Sequence, residues 1–264
     1  QGHEVRSMEQ LVAPMAQMPE LIACPRELDL PGIERTGPVA HIEPCIRAAE
    51  TPDASFPWDQ LPSDKELVLV SLGSQTEVYL EPARQLYCKL FEMMRAAADE
   101  PWHFVISVGK DFDPAELGAT VGGETPDNVT ICRWLPQLQL LDRAALMVGH
   151  GGLGTIKECA YFGVPMVIVP LSRDQPDNAR RVEHHGFGLA LDPATASVET
   201  LLEAVRRGLE DGDMAASARR LKEVFRRAED EQRGAVLLEG ILSGERPMVA
   251  AVAASESLAP GFAG

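Results

Sequence analysis

The chain has 264 residues, 45% of them hydrophobic and 24% charged, which is enough apolar content for a full core at an ordinary charge density. Its formal net charge of −16 argues against general binding to nucleic acid or to anionic membranes, since either polyanion is repelled, yet leaves room for one anionic ligand held by local dipoles. No run approaches the ~20 apolar residues of a membrane span, no secretory signal opens the chain, and the cysteines at 24, 45, 88, 132 and 159 show no zinc spacing, so a cytoplasmic protein with reduced thiols and no metal is expected.

In chain order, residues 8–16 and 21–24 read as helix and strand material, followed by a Pro-, Asp- and Ser-rich linker over 50–63. Residues 67–72 form a β-rich apolar run ending in Gly73-Ser74-Gln75, and an amphipathic helix follows over 82–98. Further strands are predicted at 102–108, 128–133, 145–149, 165–170 and 189–191. Helices are predicted at 155–162, closed by Gly163, and at 178–183. Residues 217–242 are charged and helical in pattern, and 244–264, rich in Ala, Ser, Pro and Gly, are expected to be a flexible tail. Strands alternating with helices mean an α/β fold, a Rossmann-like doubly wound parallel sheet with helices on both faces.

The most informative segment lies between the strand at 145–149 and the next helix. Gly149-His150-Gly151-Gly152-Leu153-Gly154 lets the backbone turn tightly and lets an anion reach free N–H groups where the helix dipole favours negative charge. The same residues fit the G-x-G-x-x-G dinucleotide fingerprint, and Asp174 lies twenty positions past Gly154, as in NAD-binding folds. Three features oppose that reading. The turn sits past the middle of the chain, His150 occupies a place that normally needs a small residue, and the acid belongs to a polar cluster, Asp174-Gln175-Pro176-Asp177-Asn178.

Trp134-x-Pro136-Gln137, His150-Gly151-Gly152 with Thr155 and Glu158, Gly163-Val164-Pro165, Pro170, Asp174-Gln175, Asn178-Ala179 and Gly186-x-Gly188 together resemble a known pattern. It is the donor-binding signature of the UDP-glycosyltransferase superfamily, in the flavour of its bacterial macrolide and antibiotic-tailoring members. The likeness runs from about residue 61 to about residue 192. It implies the carboxyl-terminal, nucleotide-sugar donor-binding half of a GT-B glycosyltransferase. Residues 1–62 would then be the closing segment of the acceptor domain and the linker, 63–243 the donor domain, and 244–264 the tail.

The resemblance also implies roles. Trp134 would stack on the nucleobase, with the backbone of Arg133 and Leu135 beside it reading the base edge. Gln137 and Glu158 would hold the ribose. His150, Gly151, Gly152, Gly154 and Thr155 would seat the diphosphate, with Ser74 facing it across the cleft. Asp174 and Gln175 would hold sugar hydroxyls. Each has a blander alternative: Trp134 as core, His150 as a satisfied buried histidine, Thr155 and Asp174 as helix caps, and Ser74 as part of a simple turn. Gly154 and Thr155 depart from the Asn and Ser common in the family.

The implied reaction is inverting and metal-independent. It moves a hexose from a UDP- or dTDP-sugar to a hydroxyl of a small-molecule acceptor, with no cofactor beyond the donor, no nucleic acid and no membrane partner. His150 would stabilise the leaving group. The family's catalytic base, a histidine in an early loop of the acceptor domain, is expected to be absent from this chain, since Gly2-His3 lies too near the donor domain to be it. The rival readings are a GT-B nucleotide-sugar epimerase, an NAD-dependent oxidoreductase and a non-catalytic nucleotide-binding module. His184-His185 reads as a solvated helix end.

Overall fold

A computed structural model of the chain describes residues 20–33, 39–47, 53–113 and 125–243. The helix expected at 8–16 and the tail expected from 244 lie outside the described residues. The chain divides into two compact units, Ile46–Glu223 and a second made of Gln1–Cys45 with Val224–Gly264. In the second unit β1 (Glu20–Ile22) pairs in parallel with β2 (Val39–His41).

The larger unit begins with β3 (Glu66–Ser71), α1 (Leu80–Ala96), β4 (Trp102–Ser107) and β5 (Val129–Cys132). It continues through α2 (Gln137–Leu141), β6 (Leu146–Gly149), α3 (Leu153–Phe162), β7 (Met166–Ile168), α4 (Gln175–His184) and β8 (Gly188–Ala190). Then come α5 (Val198–Glu210) and α6 (Gly212–Glu231). The six strands form one parallel sheet in the order β5-β4-β3-β6-β7-β8. The doubly wound sheet expected from the alternation of elements is therefore what forms.

The period-two side-chain alternation of the strands supplies both faces. Val68, Val70, Phe104, Ile106 and Val148 pack in one buried cluster with Leu86 and Leu90 of α1 and Leu201 and Val205 of α5. The alternate residues Leu69, Val105, Met147 and Ile168 are equally inaccessible, so the opposite face is covered too. Each such aliphatic side chain, fully buried, contributes about 1.5 to 3 kcal/mol. With both faces closed, ligands are left the ends of the strands. Strand order reverses between β3 and β6, and the loops leaving their carboxyl ends diverge to opposite faces, opening a crevice there.

Several boundaries differ from the sequence reading. α3 starts at Leu153, two residues early, because Gly152 already takes the extended conformation of an N-cap (ψ 135°). Thr155 is thus inside the helix and does not cap it. α4 starts at Gln175 rather than 178, with Pro176 in its first turn, where a fixed φ suits a helix start. α5 has no counterpart among the predicted elements. It is opened by a reciprocal cap between Ser197 and Thr200. The helical stretch expected over 217–242 is divided between α6 and α7 (Arg233–Leu242) by Gln232, whose φ of 46° interrupts the helix. In the second unit Leu237 of α7 clusters with Ala40 and Ile42, and the Gly234 N–H donates to the Glu43 carboxylate at 2.7 Å.

Candidate functional site

A cleft of about 580 Å³ lies at the carboxyl ends of β3 and β6. Of the thirteen residues singled out from sequence, eleven line it: Ser74, Trp134, Leu135, Gln137, His150, Gly152, Gly154, Thr155, Glu158, Asp174 and Gln175. Arg133 turns its side chain to Asp113 at 3.3 Å and contributes only its carbonyl, which accepts from Ser107 Oγ and the Gly109 N–H. Gly151 lies beneath the wall. Its φ of 85° makes the turn, and its carbonyl accepts from Asn178 Nδ2 at 2.9 Å.

Six further residues line the cleft without having been expected there: Ser71, Gly73, Gln75, Tyr79, Ser107 and Arg173. Ser71 and Ser107 end β3 and β4, so the switch-point rule applied to the predicted strands would have found them. Arg173 had no such signal.

His150 is clamped rather than free. A Cβ on Gly73 would come within 2.6 Å of the ring Cε1, and one on Gly152 within 2.7 Å of Nε2, so both positions must be glycine for the ring to fit between them. Nδ1 is buried and meets no partner in hydrogen-bonding geometry. Burial pushes the imidazole pKa down to about 4, and the Ser71 carbonyl and the Asp174 carboxylate, which favour the charged form, do not offset it. At neutral pH the ring is uncharged. It is the one histidine among the described residues lining the cleft. His103 is buried elsewhere against Thr130 Oγ1, and His184 is exposed at the end of α4.

At one end of the cleft Trp134 stands 58% exposed after β5, which leaves a ring face open for stacking and rules out the core reading. Beside it Gln137 Nε2 donates to Glu158 Oε2 and, at 3.4 Å, to Thr155 Oγ1. Burial raises the Glu158 carboxyl, and the Gln137 bond and Lys157 work against that rise. In the middle no side chain caps α3, so its first backbone N–H groups stay open to a ligand.

At the other end Asp174 occupies the N-cap position of α4 without making a cap bond. Its Oδ2 accepts instead from Asn178 Nδ2 at 2.8 Å. Buried Gln175 turns its Oε1 back onto the N–H groups of Leu171 and Ser172 at 2.7 and 2.8 Å. That oxygen shapes the loop, which takes it away from the sugar-accepting role the resemblance implied for it. Among the described residues no group of His, Cys, Asp and Glu side chains is arranged for a metal ion, and no helix is long and apolar enough to cross a membrane.

Residues 114–228 match the family model described as erythromycin biosynthesis protein CIII-like, C-terminal domain. The chain is similar to the NDP-glycosyltransferase YjiC of Bacillus subtilis (strain 168), 30% identical over 180 residues, which cover 68% of this chain and 43% of that protein. It is also 33% identical over 202 residues to the oleandomycin glycosyltransferase of Streptomyces antibioticus, covering 73% of this chain and 44% of the relative. The chain belongs to this family of glycosyltransferases. A solved structure of the glycotransferase of kitacinnamycin superposes on 88% of the chain with a TM-score of 0.71 at 33% identity, and the match covers 56% of that structure. The GT-B donor-domain fold is therefore established for this member, which spans about half the length of the family proteins it matches.

Proposed function

We propose that the cleft binds the donor of a glycosyl transfer, a UDP- or dTDP-hexose, in a reaction that inverts the anomeric centre without a metal ion and places the sugar on a hydroxyl of a small acceptor. One observation carries the reading. An open aromatic plate, a carboxylate with an amide, an uncapped helix start and a second carboxylate succeed one another along a single cleft at the switch point of the sheet. That order matches base, ribose, diphosphate and sugar.

In this reading Trp134 stacks on the base and Glu158 accepts from the ribose hydroxyls, giving up its bond from Gln137. Asp174, aimed by Asn178, accepts from the sugar. The acceptor oxygen loses its proton to a base and attacks the anomeric carbon from the face opposite the diphosphate. As that bond forms, the bond from the anomeric carbon to the distal phosphate oxygen breaks, and its electron pair stays on the phosphate. The α3 dipole, the N–H groups of 152–155 and the His150 ring meet the new charge. Since burial keeps the ring neutral at neutral pH, it enters as a hydrogen-bond donor rather than a cation.

The spacing of Gly149, Gly151, Gly154 and Asp174 keeps an NAD-binding alternative in view. Calorimetry of the chain with UDP, dTDP, NADH and ATP separates the two. The expected result is that UDP or dTDP binds best, and tighter NADH binding would overturn the donor reading.

A further inference from the structure

Among the described residues that line the cleft, Arg173 carries the sole cationic side chain. Its backbone lies at φ 58°, in the left-handed region that glycine enters freely and a residue with a Cβ enters at a cost. Strain of this kind persists where the surrounding structure imposes it, and it gathers at ligand sites. Here it raises an exposed guanidinium from the loop between β7 and α4 and carries it to the loop after β3. There Nη1 donates to Gln75 Oε1 at 2.7 Å.

Gln75 is neutral, and among the described residues Arg173 makes no ion pair, although the chain as a whole carries a net charge of −16. Gln75 follows Ser74, and Gly73 forms one wall of the slot around His150. The guanidinium therefore stands beside the diphosphate seat rather than over the base plate. Its charge also reaches Tyr79, whose ring centroid is 6.3 Å from that of His150: burial raises the Tyr79 hydroxyl, the hydrogen bond with the Gln175 side chain works against that rise, and the Arg173 charge adds a smaller share.

We propose that Arg173 leaves Gln75 when the donor binds and pairs with its distal phosphate, holding the negative charge that this phosphate gains as the sugar departs. The inference rests on the donor reading given above. It adds to it a full positive charge, which the helix dipole supplies only in part and the buried imidazole, neutral at neutral pH, does not carry. It also explains why a strained arginine occupies a position where glycine would be more comfortable.

The test is calorimetry of the 264-residue chain and its Arg173→Gly and Arg173→Lys variants with UDP, UMP and uridine, repeated with the thymidine series, alongside thermal unfolding. Arg173→Gly should weaken the diphosphate by about tenfold or more while leaving the monophosphate and the nucleoside unchanged, and Arg173→Lys should recover part of the loss. The glycine variant should unfold at the same temperature as the parent or higher, because it relieves the left-handed strain.

A diphosphate-to-monophosphate preference that survives Arg173→Gly overturns this inference and leaves the donor reading standing. A parent chain that binds no member of either series overturns both. UDP-glucose and UDP-glucuronate form a further arm. A variant that loses affinity for the glucuronate donor alone assigns the guanidinium to a sugar carboxylate and overturns its pairing with phosphate.

Discussion

The two turns that frame the cleft achieve their shapes by opposite means. The turn between β6 and α3 is a backbone device. Glycines at 151 and 152 set its path, no side chain caps the helix it opens, and the one ring inside it is gripped by neighbouring glycines. The turn between β7 and α4 is a side-chain device. Gln175 Oε1 ties down Leu171 and Ser172, Asn178 joins Asp174 to the Gly151 carbonyl, and a non-glycine residue at 173 takes the left-handed conformation. A backbone turn presents the same N–H groups whatever its side chains, and so suits a phosphate that all donors share. A side-chain turn changes with each substitution and suits the part of a donor that varies.

That contrast is broken most severely by giving the backbone turn a side chain. At Gly73 a methyl group would meet the His150 ring at 2.6 Å, and φ is 81°. Overpacking and left-handed strain together should make Gly73→Ala cost about 2 to 5 kcal/mol of stability. Diphosphate affinity should fall with it, because the ring must leave its slot. Urea unfolding and calorimetry measure the two. A variant as stable as the parent would show that the clamp is slack.

Next comes the imidazole itself. Its pKa falls from 6.5 in the unfolded chain to about 4 in the fold. Between those values the unfolded state holds a proton that the native state refuses, so stability is complete above pH 6.5 and is lost as the pH drops toward 4, by about 3 kcal/mol in all. His103, also lowered by burial, acts in the same direction. Glu158, whose carboxyl is raised, acts in the opposite one. Comparing the parent with His150→Gln across that window isolates the ring. The parent should lose more stability on acidification than the variant, and parallel curves would place His150 in a wetter site than its burial indicates.

The two turns also differ in how far the sequence exposes them. A glycine cluster between an apolar run and a helical pattern is a local signal, so the sequence already marks His150, Gly152 and Thr155 as parts of one strand-to-helix turn, and all three line the cleft. The sheet was legible for the same reason, since each strand at 67–72, 102–108 and 145–149 is an apolar run long enough to be read alone. What decides the second turn is non-local. That Gln175 Oε1 faces the loop, or that Arg173 reaches Gln75, depends on strands β7 and β3 being held two places apart in the sheet. Arg173 is also masked by type, because an arginine between Ser172 and Asp174 reads as an ordinary exposed loop residue. α5 went unread for a related reason: its cap pairs Ser197 with a threonine, where the familiar signature has a glutamate.

A substitution at Asn178 probes the joint between the turns. Its amide is buried and serves the Gly151 carbonyl, Asp174 and Arg181 at once. Asn178→Ala leaves the Gly151 carbonyl without its partner, a loss of about 1 to 3 kcal/mol in stability. Because Asp174 also loses its orientation, a UDP-hexose should lose more affinity than UDP does. Equal losses for both ligands, measured by calorimetry, would mean that Asn178 supports only the phosphate turn.

The smallest expected change asks whether every glycine in the backbone turn is needed. Gly154 differs from Gly73 and Gly152, since a Cβ placed there meets nothing within 4 Å and the residue already lies inside α3. With helical geometry and open space, Gly154→Ala lowers the entropy of the unfolded chain without strain in the fold and should stabilise by about 0.4 to 1 kcal/mol. Diphosphate affinity should not move if the ligand sits over the N–H groups and clear of that Cα. The open space beside Gly154 faces the cleft, however, and a phosphate lying directly against the Cα would collide with the new methyl group. Higher thermal stability with unchanged UDP affinity therefore assigns the glycine requirement to the clamp around His150 alone. Higher stability with a clear loss of UDP affinity would instead place the diphosphate against the first turn of α3, and would make Gly154 part of the seat.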